Sequence, residues 1–180
     1  KLASGSDAIV LDVKTGNGSF MKTVEDSKAL ASLMVDIGKN AGKKMLALIT
    51  DMDRPLGFAI GNSLEVIEAI EALNGSGPDD LTELCVTLAS HILSLAEKGS
   101  YDECRAEVLR VINDGTALNT FAAMVKAQGG NKDWILNPEN FPKAKFSKAV
   151  LSEKSGYIIS VDTEGYGIAS LLLGAGRNTM

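Results

Sequence analysis

The chain has 180 residues, 45% of them hydrophobic, enough for one substantial core and for one domain or one domain with part of a second. Charged residues make up 23%, and the formal net charge of −5 argues against a general nucleic-acid surface, which needs clustered Lys and Arg, while leaving room for a small local anion site. No apolar run approaches the roughly 18 residues that span a bilayer, and Cys85 and Cys104 have neither metal-like spacing nor a His partner, so a reduced, cytoplasmic compartment is expected.

In chain order, Ala8 to Val13 (AIVLDV) is a short apolar run suited to a strand buried on both faces of a parallel sheet. The loop Lys14-Thr15-Gly16-Asn17-Gly18-Ser19 follows. Leu30, Leu33, Met34, Ile37 and Ala41 then recur at helical spacing, with Thr23 and Asp26 as a start and Gly42 as a stop. Met45 to Thr50 (MLALIT) is a second buried strand. Strand, helix, strand implies a crossover and an α/β sheet.

Four helices come next. Leu64, Ile67, Ile70 and Leu73 mark the first, closed by Gly75. Pro78-Asp79-Asp80 opens the second, with Leu81, Leu84, Cys85, Leu88, Ile92 and Leu95 as its apolar face. Asp102 starts the third around Ala106, Leu109 and Ile112, and Thr116 the fourth around Leu118, Phe121 and Val125, broken at Gln128-Gly129-Gly130-Asn131. The character changes near Pro138 and Pro142. From Phe146 on, Val150, Tyr157, Ile159 and Val161 predict strands separated by turns at Ser155-Gly156 and Glu164-Gly165, and a domain boundary falls near Pro142. The chain opens on Lys1-Leu2-Ala3 without an initiator Met and closes on Arg177-Asn178-Thr179-Met180, just after a strand-like, glycine-rich run, so it is expected to be an excerpt of a longer protein.

Asp12 and Asp51 close the two predicted strands, at the rim where open α/β sheets bind ligands, although capping or pairing with a nearby Lys explains each as well. Gly16-Asn17-Gly18-Ser19 could cradle an anion or let a ligand approach the backbone closely, but it lacks the third glycine of a dinucleotide fingerprint and the Gly-Lys-Ser/Thr of a P-loop, so a plain strand-to-helix turn is the better reading. Phe20 and Met21, just beyond, could flank a flat heterocycle or pack in the core. His91, the only histidine, falls on a helix's apolar face and reads as a hydrogen-bonded core residue; with one His, a Ser-His-Asp or zinc centre has no support here.

LASGSDAIVLDVKTGNGSFMK (Leu2 to Lys22), TDMDRPLGFAIGNSLEVIEAIEAL (Thr50 to Leu73), Gly77-Pro78-Asp79-Asp80-Leu81-Thr82-Glu83-Leu84 and Leu173-Gly174-Ala175-Gly176-Arg177 together resemble the thymidine and pyrimidine-nucleoside phosphorylases, in colinear order over nearly the whole chain. The form is closer to the broad pyrimidine enzymes of bacteria. The resemblance implies an α/β fold: residues 1–142 as part of a large mixed-sheet domain with packed helices, and residues 143–180 as the beginning of a small, β-rich α+β C-terminal domain. It implies reversible phosphorolysis of uridine, thymidine or deoxyuridine to free base and pentose 1-phosphate, by homodimers that close over nucleoside and phosphate. It places Phe20 and Met21 near the pyrimidine. It also implies a potassium site in which Leu56 and Ala59 offer backbone carbonyls and Glu68 a carboxylate, although nothing in the spacing separates Glu68 from Glu65 and Glu71 as solvated helix residues.

The family's Lys-x-Ser-Thr-Gly-Gly phosphate loop has no match here, and its base-binding Arg, Ser and Lys align before Lys1, so no catalytic residue is expected in this segment and the segment alone is expected to be inactive. Two other readings compete. A phosphoribosyltransferase resembling the anthranilate enzyme would carry Mg²⁺-binding acidic pairs and lack the GxFM and PLG patterns. A non-catalytic interaction module would follow if the phosphate loop were truly absent.

Overall fold

The structure is a computed structural model in which residues 2–175 are described; Lys1 and the Gly176-Arg177 end of the matched C-terminal run lie outside them. Its sheet has two parallel strands, β1 (Ala8–Thr15) and β2 (Lys44–Asp51), paired from Ala8 opposite Lys44 to Thr15 opposite Asp51. They are joined by helix α1 (Val24–Asn40), which begins where Thr23 Oγ1 accepts the N–H of Asp26. The expected strand–helix–strand unit is therefore present, with each strand two residues longer than its apolar run. Asp12 consequently sits within β1, opposite Leu48, and not at its end.

The face of α1 that meets the sheet differs from the expected one. Ser27, Ala31 and Gly38 are buried, whereas Leu33 and Ile37 are 58% and 50% exposed. Small residues let the helix lie close to the strands: a methyl group on Gly38 would run into Met45. Leu11, Val13 and Ala31 form this core, with Ile9, Leu30, Met34, Met45 and Ala47 packed around it. The interior of β2 is only half-buried, since no third strand covers it among the described residues.

Five helices follow: α2 (Asn62–Leu73), α3 (Asp79–Leu95), α4 (Tyr101–Asn113), α5 (Thr116–Ala127) and the short α6 (Lys132–Leu136). The first four match the periodicity; α6 was not foreseen. Helix α3 packs on β1 and α4, with Val86 and Ser90 fully buried. The expected inner face of α4 is turned: Cys104 and Val108 are buried, and Ala106 is exposed. A second core joins Ile70, Ala122 and Ile135 from α2, α5 and α6.

Residues 143–160 carry no strand, so the strands expected through Val150, Tyr157 and Ile159 are not formed. An extended segment needs a partner edge and an apolar face to cover it, and this one has neither among the described residues: Tyr157 is 98% exposed and Ile159 96%. Glu164-Gly165, expected as a turn, lies in the first turn of α7 (Thr163–Leu172), and the strand-like run before Met180 is helical through Leu172. Helix α7 docks near both strand ends. Its start touches the loop after β1, where the Thr163 N–H donates to Asn17 Oδ1 at 3.1 Å, and near its end Ser170 Oγ donates to the Ile60 carbonyl at 3.5 Å.

Candidate functional site

The segments that leave the carboxyl ends of β1 and β2 lie side by side. The Met52 N–H donates to the Thr15 carbonyl at 2.7 Å, and the Gly18 N–H donates to the Met52 carbonyl at 2.9 Å. Asp51 turns its own loop, accepting the N–H of Asp53 at 2.8 Å. Asp12 is engaged on both oxygens: Lys14 Nζ lies 2.6 Å from Oδ2, and Thr50 Oγ1 donates to Oδ1 at 2.5 Å. The pairing reading of Asp12 thus holds, and its carboxylate bridges the two strands.

After β1 the chain folds back on itself. Met21 bridges Thr15 in parallel register, its carbonyl accepting the Gly16 N–H at 2.9 Å and Ser19 Oγ at 2.5 Å. The fold-back leaves Phe20 at the tip, 98% exposed, which removes the core-packing alternative for it, while Met21 is half-buried. Both line a cleft of about 770 Å³ together with Lys14, Lys22, Met52 and Glu164. An aromatic ring and a thioether on one wall, with ammonium and carboxylate groups among the other lining residues, suit a flat polar heterocycle.

The second candidate region lies between β2 and α2, where residues 52–61 form neither helix nor strand. Glu68 on α2 is 7% exposed, and its Oε1 accepts the N–H groups of Phe58 at 2.8 Å and Ala59 at 3.0 Å. Gly57 has φ +66°, and a Cβ there would collide with Glu68 Oε2. Of the three glutamates on α2, burial singles out Glu68, a distinction invisible at the level of spacing. Glu65 is not free either: it accepts the Gly61 N–H at 2.8 Å, closing the helix start. The Glu68 carboxylate meets this segment through the N–H groups of Phe58 and Ala59, whereas Leu56 lines a separate pocket with Arg54, Pro55, Asp80 and Leu84. Among the described residues, no cluster of three or more His, Cys, Asp or Glu forms a metal site of the side-chain type.

Sequence reasoning missed Asn17 and Asp53, which tie the two loops: the Asn17 N–H donates to Asp53 Oδ1 at 2.7 Å. The Gly-Asn-Gly spelling was the only signal for Asn17, and its place in the TDMDRPLG run the only one for Asp53. His91 is half-buried and lies on the Tyr101 ring, with centroids 4.6 Å apart, so it is a packing residue at the α3–α4 contact and not a fully buried one. Partial desolvation raises the Cys85 thiol above its ordinary range, against the opposing Lys14 ammonium.

Residues 1–118 match the model of the glycosyl transferase family, a/b domain. The chain is 51% identical to the pyrimidine-nucleoside phosphorylases of Staphylococcus aureus strains USA300 and NCTC 8325 / PS 47, and 50% identical to that of the bovine strain RF122 / ET3-1. Each match runs over 180 residues, 99% of this chain and 42% of the relative, so the chain spans 42% of the length of these relatives.

Proposed function

Because this chain belongs to the glycosyl transferase family, whose a/b domain it matches over residues 1–118, we propose that it forms part of a phosphorylase that cleaves pyrimidine nucleosides with phosphate. The observation that carries this reading is the 51% identity, over 99% of the chain, to proteins named for that activity. The relatives named above carry the phosphorylase name, which does not favour the phosphoribosyltransferase or the interaction module.

In the proposed reaction a phosphate oxygen bonds to the anomeric carbon as the bond from that carbon to the pyrimidine nitrogen breaks. The base leaves with the bonding pair and takes up a proton, giving free base and pentose 1-phosphate. The protein's work is to hold two substrates in line and to stabilise charge on the leaving base. The proposed substrates are uridine, thymidine and deoxyuridine. Phe20 and Met21 form the wall against the pyrimidine face, an assignment supported by their place on the cleft at the strand ends.

The same reading includes a potassium ion held by the carbonyls of Leu56 and Ala59 and the carboxylate of Glu68. The residues fit such an ion in donor type: all the donors are oxygens, as hard cations require, and the missing Cβ of Gly57 lets the Glu68 carboxylate come up against the turn. When bound, the ion supplies a fixed positive charge. Glu68 orients the turn through its two amide contacts, and Pro55 restricts the turn's φ. The reading further includes a homodimer in the cytoplasm and a boundary near Pro142 between the a/b domain and a second domain. No helix among the described residues is long and apolar enough to cross a membrane.

The test is release of uracil from uridine by the full-length protein with and without inorganic phosphate. Phosphate-dependent release with formation of ribose 1-phosphate is expected, and so is no release by residues 1–180 alone. Release that ignores phosphate, or none from the full-length protein, overturns the proposal.

A further inference from the structure

The Asn17 side chain lies between segments far apart in sequence. Its Oδ1 accepts the N–H of Thr163 at the start of α7, at 3.1 Å. Its backbone N–H donates to Asp53 Oδ1 after β2, at 2.7 Å, and its carbonyl accepts Lys22 Nζ at 2.8 Å. The residues on either side are glycines, and the space a side chain would take is filled by the same partners. A Cβ on Gly16 would stand 2.6 Å from Asp53 Oδ1, and one on Gly18 would stand 2.7 Å from Thr163 Cγ2. Three segments therefore interlock at one residue, and Phe20, 98% exposed, is three positions away on the fold-back that this residue anchors.

An exposed ring cannot be positioned by packing, so its place must come from the backbone that carries it. We infer that Asn17 is a positioning residue for the pyrimidine wall, holding the Gly16–Met21 fold-back against the Asp53 loop and the first turn of α7 so that Phe20 and Met21 present a preformed surface to the base. The inference rests on the proposed phosphorylase reading. It adds that α7, about 146 positions away in the chain and outside the residues matched to the a/b domain, takes part in shaping the base site. A wall held on two sides costs less ordering on binding than a mobile loop, which lowers the nucleoside KM.

The experiment uses the full-length protein with the variants Asn17→Ala, Asp53→Ala and Asp53→Asn. Hydrogen exchange is followed for segments 16–22 and 162–166, alongside phosphorolysis of uridine at varied uridine and varied phosphate. Asn17→Ala should speed exchange in both segments and raise the uridine KM about three- to tenfold, the effect of one lost hydrogen bond, with the phosphate KM within twofold. Asp53→Ala should do the same, and Asp53→Asn, which keeps an acceptor oxygen, should restore near-parental values. The two alanine changes together should cost less than the product of their separate effects, because they loosen one clamp. Unchanged exchange in Asn17→Ala overturns the inference, and so does a uridine KM that stays put or rises in step with the phosphate KM. If the parent protein performs no phosphorolysis, the functional reading fails, and the exchange data alone decide whether Asn17 ties α7 to the fold-back.

Discussion

Phe20 and Glu68 show opposite ways for a residue to be singled out. Phe20 is nearly all exposed on the cleft wall, so Phe20→Ala should leave thermal stability almost unchanged while weakening nucleoside binding by about 1–3 kcal/mol, the usual worth of an aromatic surface against a base. A raised KM for nucleoside at constant phosphate KM is the expected outcome; equal loss for both substrates would mark misfolding. Glu68 is buried and satisfies two backbone amides, so Glu68→Ala leaves the Phe58 and Ala59 N–H groups without a partner, at about 1–3 kcal/mol each. Glu68→Gln keeps one acceptor oxygen and removes the charge. The fold should survive it, K⁺ affinity should fall, the phosphate KM should rise, and added K⁺ should partly restore it. Glu71→Gln is the proper control, within about 0.5 kcal/mol. Glu65→Gln is not, because Glu65 caps the turn at Gly61. At this scale the GSFM and PLGFA runs were legible as motifs, but the burial of Glu68 was not, since three glutamates at helical spacing look alike until one is turned toward a loop.

Among the elements, α4 has the fullest set of local signals. Ser100 and Glu103 form a capping box, with Ser100 Oγ accepting the Glu103 N–H at 3.3 Å and Glu103 Oε2 accepting the Ser100 N–H at 2.9 Å. Ser100→Ala should cost about 1 kcal/mol in a denaturant melt. The Glu103 carboxyl is held below the usual carboxylate range, first by the Ser100 backbone N–H and then by its hydroxyl. Glu83 on α3 is held down chiefly by the hydrogen bond from Arg105 on α4, against a smaller opposing effect of burial. Both folded-state values lie under the unfolded ones. Their stabilisation is therefore present above the ordinary glutamate range and is lost as the pH falls through the lowered folded values. A urea midpoint that drops on acidification more in the parent than in Glu83→Gln checks this. The existence of α1 to α5 was legible because periodicity and caps are local, whereas α6, α7 and the inward faces of α1 and α4 were not. Which stripe is inward depends on what lies opposite, and the sheet accepts Ser27, Ala31 and Gly38 because they allow close approach.

Across the whole molecule, two cores and the docking of α7 hold residues 2–142 and 161–175, while residues 143–160 run over the surface without a strand or helix. Lys143, Lys145, Lys148 and Lys154 all lie in that exposed stretch. Limited trypsin digestion of the 180-residue chain should cut there before it cuts in α1–α5, as mass spectrometry of the first fragments would show. Early cleavage inside α3 or α4 instead would contradict the packing described for them.

The sequence by itself determined the α/β class, the parallel strand pair with its crossover helix, the four middle helices and the family, because apolar period, caps and short motifs are properties of neighbouring residues. The tertiary structure alone decided that Asp12 bridges two strands, that Glu68 is buried beneath a turn, and that Asn17 joins α7 to the fold-back carrying Phe20. It also decided that residues 143–160, where alternation suggested strands, form none, and that the turn expected at Glu164-Gly165 is instead the start of α7, where Asp162 Oδ1 accepts the Gly165 N–H at 2.9 Å. Strand formation needs a distant partner, and no run of residues announces whether that partner will be in reach.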